Sequence, residues 1–414
     1  MPLLTGPSAD AARAVVADVA AALRDPAVHD ADPGLASSDV GRGSAGAALF
    51  FHELARAGGD ENDQETAYAF LDTALAGAVE ERPTAPLYSG TTGVGYALAH
   101  LQDHDDDTND VDELALAALG SDAWPSPDLI RGVTGVGVYL LERLPAPVAR
   151  KGLDAVVDRL TRMSETDGDG ITWYVDPRTV LEDRRQLFPD GYYDVGMAHG
   201  QAGMVALLGL MVSAGVETAR PLLEGSTAWL LARRLPEDAG PGRYPLMVDK
   251  RPAPPRGGRL AWCYGDAGVA VALLAAGRAL GDEAIVTEAV DLAVLSAGRV
   301  TDAAVGDAPL CHGSAGLLHV FHRLWQQTGD ERLADAARRW FEVLMTQRRP
   351  GEPVAGFGSV RPKDANPASP AEYEPLAGFL EGATGIGLAL LAATEGSDTG
   401  WDALLLTSPA ESRA

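Results

Sequence analysis

Seven times along this 414-residue chain, two glycines three positions apart open an apolar run. The hits are Gly43-Ser-Ala-Gly46, Gly90-Thr-Thr-Gly93, Gly132-Val-Thr-Gly135, Gly200-Gln-Ala-Gly203, Gly265-Asp-Ala-Gly268, Gly313-Ser-Ala-Gly316 and Gly382-Ala-Thr-Gly385. One hit would carry no information, but seven make an internal repeat, and a repeat governs the whole fold. Runs of helical character with few charges follow the glycines, as at residues 47–54, 94–101, 204–212 and 317–324. Most repeats then pass through a polar break into a more amphipathic segment, such as 63–78, 147–163, 217–235, 283–297 and 331–346. A helix apolar on most sides must be buried, whereas one with a single apolar stripe lies outside. With an initial amphipathic helix over 8–23, the alternation predicts seven inner and seven outer helices. An open stack of helix pairs needs polar caps on its end repeats, and neither end repeat here carries one. The expected fold is therefore all-α: a single α/α-toroid domain over residues 1–414. Glycine is expected to give each inner helix the backbone freedom for a tight entry turn and a close approach to its neighbours.

If the repeats are in register, the residue before each first glycine lies at the same end of the ring. Those residues are Arg42, Ser89, Arg131, His199, Tyr264, His312 and Glu381, all polar in a chain that is 46% hydrophobic. One position further back, repeats five and six carry Cys263 and Cys311, the two cysteines of the chain. The N-terminus shows no basic segment leading into an apolar core, so the expected compartment is the cytoplasm, where a structural disulfide is disfavoured. Two inert buried thiols and a core histidine are one reading. The other is a metal site: two thiolates and the imidazole of His312 are three ligands of a tetrahedral zinc, with one position open as in catalytic sites. Helix N-termini also favour thiolate over thiol.

The motifs Trp262-Cys263-Tyr264-Gly265, Cys311-His312-Gly313 and Ala198-His199-Gly200, together with the repeated Gly-x-x-Gly, make the chain similar to the lanthionine synthetase C-like family over essentially its whole length. The resemblance implies an α/α toroid with Zn2+ at one end of its cavity, held by Cys263, Cys311 and His312. It implies that His199 is the acid/base histidine and that Asp128, in Asp128-Leu-Ile-Arg-Gly132, is a catalytic aspartate. Arg259 and Tyr264 match polar residues flanking the first zinc cysteine. For Asp128 a helix-capping role on a proline-rich loop is the competing reading.

The chemistry then follows. A cation deprotonates a thiol in its open position, and the natural partner of that thiolate is the β-carbon of a dehydroalanine or dehydrobutyrine in the same peptide. The α-carbon must then take a proton, for which His199 is suited near neutral pH. The implied substrate is a dehydrated precursor peptide, the product is a thioether ring, and a dehydratase is an open possibility as partner. A net charge of −26 excludes a phosphate-binding surface for nucleic acid, and no apolar stretch is long enough for a membrane anchor. Three alternatives stand beside this reading. One is a zinc prenyltransferase, whose carboxylate-cysteine-histidine set nothing here matches. The others are addition of glutathione to dehydrated residues, and a scaffold with a structural zinc, which would be closed by a fourth ligand.

The intervals between first glycines are 47, 42, 68, 65, 48 and 69 residues, so three repeats carry insertions. Strand-like elements at the rim of the substrate entrance are expected in them, at 170–175 with 186–191, at 242–248 continuing to Arg259, and at 356–375. The acidic run 103–113 lacks the glycine of a calcium loop and reads as solvated loop. His319 and His322 read as core or cavity lining.

Overall fold

The structure of the chain is a computed structural model. It describes all residues except 59–60, 103–108, 122–125, 181, 252–256, 300–304, 363–370, 397–399 and 409–414. Sixteen α-helices are present among the described residues: α1 (Gly6–Arg24), α2 (Pro26–Ala31), α3 (Ser44–Arg56), α4 (Glu61–Glu80), α5 (Thr91–Leu101), α6 (Asn109–Gly120), α7 (Val133–Glu142), α8 (Pro147–Met163), α9 (Glu182–Leu187), α10 (Gln201–Ser213), α11 (Arg220–Leu231), α12 (Asp266–Leu280), α13 (Glu283–Ala297), α14 (Ser314–Thr328), α15 (Glu331–Gln347) and α16 (Ala383–Glu395). Seven of them, α3, α5, α7, α10, α12, α14 and α16, start directly after the first glycine of a repeat. In α10 every residue from Gln201 to Val212 is buried. The outer helices bury a single stripe, as α15 does with Leu333, Ala337, Trp340 and Leu344.

The glycine pair has a physical cause that differs from the expected one. Six of the seven first glycines hold ordinary extended backbone, and only Gly265, at φ +104°, needs the conformation that L residues avoid. What excludes side chains is the chain's own approach. Before each inner helix the backbone doubles back, so a Cβ on any of the seven first glycines would come within 2.6 Å of the carbonyl oxygen six residues earlier. Six of the second glycines face the next carbonyls of the same loop, at 2.5 Å or less, again six residues earlier.

The same loop carbonyls cap the helices. Ser44 N–H donates to Ser37 O, Thr91 N–H to Thr84 O, Val133 N–H to Ser126 O, Ser314 N–H to Asp307 O and Ala383 N–H to Leu376 O, at 2.7–3.2 Å. These bonds satisfy N–H groups that a helix leaves unpaired at its start, and none of the seven glycine caps uses a side chain.

Contacts divide the chain into two units. The first comprises Met1–Val111 and Val305–Asp402. In it α14, α16, α3 and α5 form a row of inner helices, with α15, α1 and α4 packed on them. The side chain three residues before one repeat's first glycine rests on the second glycine of the following repeat: Leu310 on Gly385, Phe379 on Gly46, and Val40 on Gly93. The Phe379–Gly46 contact makes the last and first repeats neighbours, which an open stack would not do. The second unit comprises Asp112–Ala304 and Ala403–Ala414. Its inner row is α7, α10 and α12, covered by α8, α11 and α13, with Leu129 on Gly203 and Met197 on Gly268. Full burial of each such leucine contributes about 1.5–3 kcal/mol.

Strands occur in the insertions. β1 (Glu165–Asp167) pairs with β2 (Gly170–Thr172); β3 (Tyr174–Val175), β4 (Tyr192–Asp194) and β5 (Met247–Asp249) form a three-stranded antiparallel sheet; β6 (Ser359–Pro362) pairs with β7 (Ala371–Glu374). Of the acidic run 103–113, residues from Asn109 onward belong to α6, which corrects the loop expectation there, and the earlier ones lie outside the described residues. Asp112 is buried under Tyr139 and Arg143, and both donate to its carboxylate. His319 and His322 are fully buried in α14, with Nε2 of His319 3.0 Å from Asp402. No described helix is long and apolar enough to cross a membrane.

Candidate metal centre and acid/base site

The loops that cap the inner helices carry the chemistry. In the second unit β4 ends at Asp194 and leads through Val195 and Gly196 to His199, the residue just before helix α10. Asp128 begins the turn before α7, where its Oδ1 accepts from the Arg131 N–H at 2.6 Å. Its other oxygen lies 3.0 Å from His199 Nδ1. A carboxylate on Nδ1 makes that nitrogen the N–H and leaves Nε2 for the cavity in front of it. Asp128 thus fills the turn-capping role and the histidine-orienting role with separate oxygens.

Tyr264 faces the same cavity from the loop before α12, its ring centroid 6.4 Å from that of His199. Its hydroxyl donates to Asp194 Oδ2 at 2.8 Å. The cavity holds about 290 Å³ and is lined by Asp128, Arg131, Arg184, Asp194, His199 and Tyr264, among others. Burial works to lower the His199 pKa, but the Asp128 hydrogen bond and charge, helped by Asp194, outweigh it and raise the imidazole above its ordinary 6.5. Burial pushes Asp194 up, opposed by His199, the Tyr264 hydroxyl and the Gly196 N–H. Burial, with the Asp194 charge and hydrogen bond, holds the Tyr264 phenol firmly protonated.

Cys263 is 3% exposed and accepts a hydrogen bond from Arg259 Nη2 at 3.2 Å, a cationic donor that favours thiolate. The Arg259 guanidinium also stands 6.0 Å from the Tyr264 ring centroid. In the first unit Cys311 and His312 precede α14 and are half-buried. The Cys311 N–H donates to Leu380 O at 2.9 Å, and His312 Nε2 lies 3.3 Å from Asp307 Oδ2. Asp307 is itself buried and accepts from Ser359 Oγ and from the Val360 N–H of β6, each at 3.3 Å.

Of the metal ligands named from the sequence, Cys311 and His312 lie in the first unit and Cys263 in the second. Two thiols and one imidazole are a zinc donor set. The donor chemistry fits further: a carboxylate on one imidazole nitrogen is the usual companion of a ligating histidine, fixing the tautomer and making the other nitrogen more basic. With Asp307 on Nε2, Nδ1 is the His312 nitrogen on the other side of the ring.

The sequence reading did not include Asp194 and Asp307. A signal for both was present: each stands six residues before a first glycine, at the same repeat position as Ser37, Thr84, Ser126 and Arg259.

A family model described as lanthionine synthetase C-like protein matches residues 35–406. The nisin biosynthesis protein NisC of Lactococcus lactis subsp. lactis is 23% identical over 266 residues, a stretch covering 57% of this chain and 61% of that relative. The matched stretch thus spans less than two thirds of the relative's length. The solved structure of a nisin cyclase superposes with a TM-score of 0.75 at 18% identity, covering 96% of this chain and 97% of that one. That likeness shows the fold, an α/α toroid.

Proposed function

The chain belongs to the lanthionine synthetase C-like family, and from that premise we propose that it is a zinc-dependent cyclase that adds cysteine thiols of a dehydrated peptide to its dehydroalanine and dehydrobutyrine residues. The observation that carries the reading is the 3.0 Å contact between His199 Nδ1 and Asp128, which orients the imidazole and leaves its Nε2 for a cavity. A scaffold has no use for an oriented, raised-pKa imidazole beside an open space.

Cys263, Cys311 and His312 would hold the metal, with Asp307 behind the histidine. Zinc, when bound, supplies a cation that lowers the pKa of a thiol placed in its open position. The chain's own residues do the rest. Ring closure forms one S–Cβ bond, breaks the Cα=Cβ π bond and requires a proton at Cα. His199, whose pKa Asp128 raises, delivers that proton from Nε2 and is reprotonated from the solvent that took up the thiol's proton. Arg259 hydrogen-bonds the Cys263 sulfur and so offsets negative charge there. The name of the similar nisin cyclase supports a peptide as substrate. A dehydratase as partner and a cytoplasmic location are parts of the same proposal.

The test uses a peptide containing Cys and dehydrated Ser, incubated with zinc-loaded protein, zinc-depleted protein and His199→Asn, then alkylated and weighed. Loss of alkylatable thiol at unchanged peptide mass, fast only with the zinc-loaded protein, is the expected outcome. A mass gain of one glutathione per dehydrated residue when glutathione is supplied would point to intermolecular addition instead. Equal thiol loss and equal ring pattern with and without protein would refute the reading.

A further inference from the structure

Asp194 fixes which way the Tyr264 hydroxyl faces. It sits at the end of β4, paired with Met247 of β5, and is 4% exposed. Oδ1 accepts the Gly196 N–H at 2.9 Å, and Oδ2 accepts the Tyr264 hydroxyl at 2.8 Å. One side of the phenol ring is closed by Gly196. A Cβ at Gly196 would lie 2.5 Å from Tyr264 Cδ1 and 2.6 Å from the Cys263 carbonyl oxygen, so the loop before His199 is pressed flat against the ring. Two backbone bonds tie the same pair of loops, from the Met197 and Ala198 N–H groups to Cys263 O at 2.9 and 3.3 Å.

A carboxylate accepts and cannot donate, and a phenol has a single proton. With that proton committed to Asp194, what Tyr264 turns to the cavity is oxygen lone pairs. Asp194, His199 and Tyr264 line one cavity, so a substrate in reach of His199 is also in reach of this acceptor. We propose that Asp194 is a positioning residue that makes Tyr264 a hydrogen-bond acceptor for a backbone N–H of the peptide, leaving His199 as the sole donor of the α-carbon proton. The proposal rests on the cyclase reading for the identity of the substrate, though not for the direction of the hydroxyl.

The decisive variants are Asp194→Asn and Tyr264→Phe. Asparagine can keep an oxygen on the Gly196 N–H, but then presents an NH₂ to Tyr264, which must accept it and turn its own proton into the cavity. Loss of one hydrogen bond to the substrate costs on the order of tenfold. Both variants should therefore raise KM about tenfold with kcat changed little, and the double variant should be no worse than Tyr264→Phe alone. Independently of turnover, the ¹³Cζ signal of labelled Tyr264, assigned by its absence in Tyr264→Phe, should move in Asp194→Asn and stay in place in His199→Asn. A Tyr264→Phe variant with normal KM and a collapsed kcat would make Tyr264 the donor and overturn the proposal. So would an unmoved Tyr264 signal in Asp194→Asn. If the wild-type protein closes no rings, the cyclase reading fails, and the tyrosine signal alone decides the direction of the hydroxyl.

Discussion

Replacing Gly316 by alanine sets two known effects against each other. Gly316 is the third residue of α14 and has no positive φ, so helix propensity alone favours alanine by up to ~1 kcal/mol. Against this, the new Cβ would lie 2.9 Å from the Leu310 carbonyl carbon, 3.3 Å from its Cα and closer still to its oxygen. The obstacle is backbone, which cannot swing aside as a side chain could. Relief requires a shift of the loop, and overpacking of this kind costs about 1–3 kcal/mol. Since the clash involves main chain, the upper end applies, and the net expectation is destabilisation by about 2 kcal/mol. Leu310 adjoins Cys311, so the shift should also weaken zinc binding. The assay is the urea midpoint followed by circular dichroism, with zinc affinity by chelator competition. Gly93→Ala, which meets Leu87 in the same way, should be equally destabilised without loss of zinc affinity. Gly120→Ala, at a helix end with open space around it, should change stability by less than ~0.5 kcal/mol. A Gly316→Ala protein as stable as the parent would refute the argument that the loop carbonyls are what exclude side chains.

Cys311→Ala is expected to abolish stoichiometric zinc, read by elemental analysis of protein purified without added metal, whereas His199→Asn should retain it. Asp307→Asn should keep the fold and lower zinc affinity by roughly 10–100-fold, the usual cost of losing a carboxylate behind a ligating histidine, measured by the same chelator competition. Asp128→Asn removes the charge that raises the His199 pKa. The protonated imidazole is then lost at lower pH, so the alkaline limb of the rate profile should move down in pH, with a matching shift in the His199 NMR titration.

The fold was legible because the repeat is written in glycine. Each first glycine marks a helix start, and the strands fall where the long intervals left room, as at 170–172, 174–175, 247–249, 359–362 and 371–374. The segment 186–191 differs: Gln186 and Leu187 close α9, and a turn leads to β4. Helix α6 was obscured by its acidic lead-in, although Val111, Leu114, Ala115 and Ala118 share a helical face. Asp194 and Asp307 were hidden for a different reason. Each acts on a partner that folding brings to it, Tyr264 70 residues on in one case and the imidazole five residues along the same loop in the other. Pattern along the chain shows which positions repeat, but not which side chain leans on which. The two readings of Asp128 were posed as rivals, yet its two oxygens take one partner each.

The backbone caps have a consequence for how such a chain can change. Because main-chain carbonyls, and not side chains, close the inner helices, the residues between the doubling-back point and the first glycine carry little of the burden of holding the helix start. In one loop they are Val195, Gly196, Met197, Ala198 and His199; in another, Ala308, Pro309, Leu310, Cys311 and His312. Apart from Gly196, which has no room for a Cβ, and the side chain that rests on the next repeat's glycine, such a loop is a socket with a fixed frame and exchangeable contents. New chemistry could enter this chain one loop at a time, while substitution of the glycines that hold the frame costs stability each time.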